Sequence, residues 1–511
     1  MARLLLSPLL LIFLPLLAAA VAWFIRSPRI RVRLLPAMGL LHLLLLIIEV
    51  RGWRDLPHGA WLGLDALGGW VLLVISTLFT IVALYAPSYL ALRPDRDHRL
   101  FTACLLAFLG LASLLAQSRH PGMAWVAIET MTLTTAPLIY FNRNRRSIEA
   151  TWKYLVIGSV GIALALLGTL FVAYAAHMGG VEEPLQYTRL MAEAGRLSRP
   201  WLRAGFVLTM VGYGTKMGLA PLHSWKPDAY GETPGIVGAL LAGGVTSCAF
   251  LALLRIYAIV AAAGEGVFAR EILVGFGLLS MVWALVFMVG QVDFKRLLAY
   301  SSVEHMGILV FGIGLGGLAA RFALFHLAAN ALVKSVLFLS AGNIHRSYAS
   351  KQLPHVTGAI RRTPVSAGLF FLAFLAITGL PPFAPFVSEF NIASSALTTG
   401  HVFAGAAFLV LLGGIFLTMS DTVMQVVFGV PSPQRVRTPY KDSFATTAPL
   451  ILALALALGL GLWLPGPMRS MLEGAAQTVE GHAPAVREVR PLFGQAPALV
   501  PAAVSAQEVR P

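Results

Sequence analysis

The chain has 511 residues, of which 58% are hydrophobic and only 12% charged, with a mean hydropathy of +0.78. Soluble domains carry about twice that fraction of charge, which excludes a soluble enzyme, a disordered chain and a fibrous protein, while the long unbroken apolar runs argue against an alternating outer-membrane β-barrel. A net charge of +15 would point to nucleic acid in a soluble chain, but a polytopic membrane protein gathers the same excess in its cytoplasmic loops, and no nucleic-acid partner is expected.

In chain order, hydropathy places spans at about 4–25, 34–50, 61–86, 100–117, 122–141, 152–176, 202–220, 236–262, 272–290, 298–319, 322–345, 365–397, 404–428 and 446–465. The expected fold class is an all-α polytopic membrane protein with about fourteen transmembrane helices. Ala18-Ala19-Ala20 has the look of a cleavage site, yet only Arg3 precedes the first apolar run while Arg26, Arg29, Arg31 and Arg33 follow it, which favours a retained helix. Loops after odd-numbered spans hold about twice the basic residues of the opposite side, Lys226 being counted among them. Both termini are therefore expected outside the cytoplasm of a bacterial inner membrane. The segment 466–511 is rich in Pro, Ala and Val without helical period and reads as an extra-cytoplasmic tail. Cys104 and Cys248 lie far apart in apolar runs. Two thiols cannot hold a four-cysteine iron–sulfur cluster or a structural zinc site, so no cofactor, metal or redox centre is expected in this chain.

Once the loops are set aside, the basic residues inside spans are Lys216, Arg255 and Lys334, and the clear acids are Glu129, Glu389 and Asp421, with Glu304 near the start of span ten. A charge at bilayer depth is costly unless paired or hydrated. Spans seven and twelve are each interrupted by a Gly-Leu-x-Pro break, at 218–221 and 379–382, with an ionisable residue nearby. Proline frees a backbone carbonyl that needs a polar neighbour in lipid, and paired broken helices point to an inverted-repeat transporter with a midplane site. Because the breaks are five spans apart, the implied inverted repeats are spans 4–8 (100–262) and 9–13 (263–430), after N-terminal helices at 1–99 and before helix 14 at 431–465 and the tail.

Lys216 lies thirteen residues after Arg203, about 20 Å along a helix, too deep to snorkel. Glu129 is its expected partner, with a purely structural ion pair as the plainer reading. His326, Asn330 and Lys334 fall at i, i+4 and i+8 on one face of span eleven, as expected of a hydrated path. Glu304 with His305 fits either a second relay or a pair at the cytoplasmic mouth, and Arg255 and Asp421 sit near span ends. The run Gly312–Gly317 fits G-x-G-x-x-G but lacks the strand–turn–helix context of a nucleotide site and reads as helix packing.

Three longer motifs carry a family resemblance. Gly-Tyr-Gly-Thr-Lys-Met-Gly-Leu-Ala-Pro-Leu-His-Ser-Trp-Lys-Pro-Asp-Ala (212–229), Asp-Phe-Lys-Arg-Leu-Leu-Ala-Tyr-Ser-Ser-Val-Glu-His-Met-Gly (293–307) and Gly-Leu-Pro-Pro-Phe (379–383) resemble the signatures of antiporter-like subunits of respiratory complex I and Mrp-type antiporters. Glu-Ala-Thr-Trp-Lys-Tyr-Leu (149–155) and Phe-Val-Ser-Glu-Phe (386–390) resemble the branch of the hydrogenase-4 F subunit and membrane-bound group 4 hydrogenases. The likeness spans roughly residues 100–430. It implies fourteen helices, two inverted five-helix repeats and two half-channels joined by a polar axis. It also implies a proton-transfer set of Glu129, Lys216, His326, Lys334 and Glu389, with His223, Asp228, Ser247, Glu304, His305 and Asn330 as candidate relays. Ser247 stands where the family often has Lys or His, and Asn330 where some members have a second histidine, so water would have to bridge the centre. The implied function is proton translocation in a redox-driven complex, with other membrane subunits and a cytoplasmic NiFe hydrogenase-like module as partners. A monovalent cation/proton antiporter moving Na⁺, or a non-conducting scaffold, are the alternatives.

Overall fold

The computed structural model describes residues 2–50, 61–182, 185–431 and 438–482. Every regular element among them is helical. The first helices are α1 (Ala2–Phe24), α2 (Pro28–Val50), α3 (Ala66–Ala91), α4 (Arg99–Gln117), α5 (Pro121–Ile139) and α6 (Arg145–Met178). A short α7 (Tyr187–Ala192) precedes α8 (Arg199–Met217), α9 (Trp225–Glu232) and α10 (Gly235–Leu240). Two π-turns, Leu241–Val245 and Ala261–Glu265, link α10 to α11 (Thr246–Val260) and α11 to α12 (Gly266–Met288). Then follow α13 (Phe294–Leu315), α14 (Gly317–Tyr348), α15 (Pro364–Ile377), α16 (Ala384–Thr398), α17 (Val402–Phe428), α18 (Phe444–Leu462) and α19 (Gly466–Val479).

Nine of the described helices are long and apolar enough to cross a membrane, or ten if the bent pair Leu353–Arg361 and Pro364–Ile377 is one span. The protein is thus a multi-pass helical membrane protein. This number falls below the hydropathy reading partly because span twelve is divided into α15 and α16, of 14 and 15 residues, while the 19-residue α8 is too polar to be counted. Gly235–Met288 also counts once, although Gly264 turns the chain with φ +80°.

Capping chemistry moves several expected boundaries. Span three begins at Ala66 rather than about 61, because Asp65 accepts from the Gly68 amide and starts the helix there. Span six begins at Arg145, where Asn144 and Ser147 form a reciprocal capping box. The expected tail is corrected in its first part: Gly466–Val479 is a helix that lays Met471, Leu472, Ala475, Ala476 and Val479 inward and packs on α3 and α14. Its apolar residues do recur at i, i+1, i+4, i+5 and i+8, one helical face. Residues 483–511 lie outside the described residues, as do the loop arginines Arg51, Arg54, Arg435 and Arg437.

The core is organised around α14, which is buried along nearly all its length and packs against α3, α10, α13, α15, α16, α18 and α19. By contrast, α6 and α17 turn Trp152, Val156, Val160, Val410 and Leu417 outward, the apolar surface a bilayer would cover. Gly312 and Gly314 sit where a Cβ would meet Ala323 and Val274 at 2.8 Å, which is the helix packing expected of that run.

Near the end of α11, Arg255 is buried and makes a two-pronged ion pair with Asp65 at 2.7 and 3.0 Å while also donating to the Ala116 carbonyl. Arg255 therefore ties α11 to the start of α3 and the end of α4. Asp65→Ala strands this guanidinium and removes a helix cap, with an expected loss of about 3–5 kcal/mol, read as a fall in thermal unfolding temperature in detergent. Asp421 is exposed on α17 and bonds only its neighbour Gln425 among the described contacts.

Candidate functional site: a buried polar axis

Two interrupted helices set the geometry. After α8 the chain breaks at Gly218 (φ +79°), and after α15 at Gly379 (φ +79°). Only glycine takes that backbone cheaply, and the space its missing side chain leaves is used in both cases by an ionisable group. A Cβ on Gly218 would stand 2.5 Å from Lys226 Cδ, and one on Gly379 would stand 2.7 Å from Glu389 Oε2.

On the first side, Lys216 closes the last turn of α8 and is fully buried. Its Nζ donates to the Tyr154 hydroxyl at 2.9 Å and stands 4.1 Å from that ring's centre. Tyr154 in turn shares a 2.6 Å hydrogen bond with Thr135 of α5. Glu129 accepts from the Ser159 hydroxyl at 2.9 Å, and its other oxygen is buried without a partner. The expected Glu129–Lys216 ion pair is therefore not formed among the described contacts. The reason is α6, which packs against both α5 and α8 and places Tyr154 and Ser159 between them. Gly158 of α6 lies against the Lys216 ammonium, where a Cβ would come into ordinary contact at 3.4 Å.

At the centre lies a residue the hydropathy count assigned to a loop. Lys226 is fully buried, and its ammonium donates to the Met217 carbonyl at 2.7 Å and the Ser302 carbonyl at 3.2 Å. It thus spans from the residue after Lys216 to the residue after Ser301. Local polarity (Ser224, Lys226, Asp228) signalled a loop. The signal that could have found Lys226 was its place eight residues beyond Gly218, where a chain that turns back at the break returns to the same depth.

On the second side, Lys334 donates to the Ser301 hydroxyl at 2.6 Å, and Ser301 reaches Glu304 at 3.3 Å. Glu304 stands 3.8 Å from His305 Nε2. His305 Nδ1 and His326 Nε2 are 3.0 Å apart, and His326 Nδ1 is held by the Ser388 hydroxyl at 2.7 Å. Glu389 follows Ser388 on α16, is buried, and keeps Oε1 without a partner. So Glu304 and His305 lie inside the protein beside His326, not at a mouth.

The remaining candidate relays divide. Asn330 is buried with both amide atoms unpartnered, one turn from His326 and one from Lys334. Ser247 spends its hydroxyl on the Gly243 carbonyl of its own helix, just past a π-turn. His223 is caged edge-on by Trp283, Phe287 and Tyr300. Asp228 pairs with Lys153 at 2.7 Å and with Arg296. It lines a charged cavity of about 300 Å³ with Arg146, Glu149, Asp293 and Lys351, and so stands at an opening rather than on the axis.

A helical membrane protein with two glycine-hinged interruptions and buried lysines, histidines and carboxylates between them is of the antiporter-like class. The chain belongs to the family described as NADH:quinone oxidoreductase/Mrp antiporter, TM, which matches residues 118–416. It is 34% identical over 388 residues to the hydrogenase-4 component F homolog of Methylacidiphilum infernorum, covering 73% of this chain and 80% of that relative. It is 32% identical over 354 residues to NADH-quinone oxidoreductase subunit N of Desulforudis audaxviator, covering 69% of each. A chain of the Mrp complex from Dietzia sp. DQ12-45-1b shares the fold with a TM-score of 0.83 at 20% identity, covering 95% of this chain and 98% of that one.

Proposed function

We propose that this chain is the proton-translocating subunit of a larger redox-driven membrane complex of the group 4 hydrogenase or complex I type. The supporting observation is the run of buried polar groups Thr135–Tyr154–Lys216, Lys226, Glu304–Ser301–Lys334 and His305–His326–Ser388 with Glu389 beside it, lying between two broken helices. Buried lysines and carboxylates at hydrogen-bond spacing can take and release protons through hydroxyls and intervening water. Two inverted five-helix repeats, 100–262 and 263–430, with fourteen crossings and extra-cytoplasmic termini, form the frame of this reading. Lys226 takes the linking role that Ser247 cannot. Driving force comes from a partner, for which a NiFe hydrogenase-like cytoplasmic module in a bacterial inner membrane fits the hydrogenase-4 likeness.

Lys216→Ala and Glu389→Gln, each assembled normally, are expected to abolish proton uptake by inside-out vesicles while electron transfer persists. Undiminished uptake would overturn the mechanism. A self-sufficient Na⁺/H⁺ antiporter would instead give Na⁺-dependent pH changes from the purified chain in liposomes, where the present reading expects none.

A further inference from the structure

We propose that His305, His326 and Glu389 also form a binding site for one divalent cation of the Zn²⁺ class, where α13, α14 and α16 meet. One ligand atom from each lies within 4.8 Å of the other two, and all three residues are buried. In a tetrahedral zinc site, bonds of about 2.1 Å hold ligand atoms about 3.4 Å apart. His305 Nδ1 and His326 Nε2, at 3.0 Å, are already near that edge length. Bringing the carboxylate in asks for a shift on the order of 1 Å at the end of a side chain.

What marks His326 as a prepared ligand is the other nitrogen of its ring. Metal-bound histidines are held from behind by a carboxylate, carbonyl or hydroxyl that fixes the ring. Here His326 Nδ1 is held by Ser388, whereas His305 Nε2 is buried without a hydrogen-bond partner, with Glu304 3.8 Å away as the group that could turn to it. The Ser388 support does not depend on the contact between the two rings. The third ligand has an independent signature: Glu389 Oε1 is buried with no hydrogen-bond partner, and Ser388 places support and ligand on consecutive residues of α16. Two neutral imidazoles and a carboxylate suit Zn²⁺, Ni²⁺ or Cu²⁺ and disfavour Na⁺ or Mg²⁺, which take oxygen ligands. Glu389 as ligand and Glu304 behind His305 offset the cation's charge. Chain separation hides the set from any spacing motif, since 21 and 63 residues divide its members.

The site does not rest on the proton-transfer reading, but occupancy would break the His305–His326 contact, so cation binding and relay through these rings exclude each other. The test uses the purified full-length chain in detergent, stripped with chelator and titrated with Co²⁺. One equivalent is expected to give the strong visible absorption of low-coordinate Co²⁺, displaced by one equivalent of Zn²⁺. His326→Gln and Glu389→Gln should lose the band, Ser388→Ala should weaken Zn²⁺ binding about 10–100-fold, and Asp421→Asn, an exposed carboxylate on α17, should change nothing. Absence of the band in the unmodified chain, or its full persistence in His326→Gln, overturns the proposal. Misfolding of a variant leaves the test on the unmodified chain and on Ser388→Ala intact.

Discussion

Lys226→Arg is expected to stop proton uptake by vesicles while leaving the protein assembled. Lys226 can serve in two ways. As a cap, its ammonium satisfies the Met217 carbonyl at the end of α8 and favours the negative end of that helix. As a carrier, it takes a proton on the Lys216 side and gives it up on the Ser301–Lys334 side. Arginine separates these roles, because a guanidinium keeps charge and donors but does not release its proton in a protein. Lys226→Met removes both roles and is expected to cost about 1–3 kcal/mol from the Met217 carbonyl left unpaired at the end of α8 as well as proton uptake. Should Lys226→Arg pump at the unmodified rate, Lys226 is a cap and the linking role falls to water near Ser247 and Asn330.

The second large effect lies at the hinges. Gly218→Ala places a Cβ 2.5 Å from Lys226 Cδ, and Gly379→Ala places one 2.7 Å from Glu389 Oε2, each at φ +79°. The left-handed backbone alone costs an L-residue about 1–2 kcal/mol, and each methyl must also move the ionisable side chain beside it. Both substitutions are expected to lower the unfolding temperature in detergent and to abolish proton uptake. Gly368→Ala is the control: it sits within α15 with nothing within 4 Å of its Cβ position, so alanine there should be neutral or stabilising by up to about 1 kcal/mol. Equal effects at all three positions would remove the special standing of the hinges.

Much of the site was legible because burying charge in lipid is expensive. In so apolar a chain, Glu129, Lys216, Lys334 and Glu389 stand out by being there at all, and the paired Gly-Leu-x-Pro breaks stand out for the same reason. Partners were less legible. Lys216 could be placed at depth by its distance from Arg203, but not matched to Tyr154, which reads in sequence as an ordinary aromatic of span six. Lys226 was misjudged because hydropathy treats a polar stretch as a loop, whereas a broken helix returns such a stretch to the interior. The helix Gly466–Val479 was missed for a different reason: the Pro, Ala and Val beyond it masked a short amphipathic face.

Sequence by itself determined the membrane environment, the helical class, the two interruptions and the residues that carry charge into the apolar interior. Each of these follows from composition and local pattern, since apolar run length and the φ demands of Gly and Pro act within a few residues. Tertiary structure alone decided which groups meet: Lys216 with Tyr154, Lys226 across two carbonyls, His305 with His326 and Ser388. Such contacts join helices separated by tens to hundreds of residues, and a hydrogen bond depends on angstrom-scale distance that no local pattern encodes.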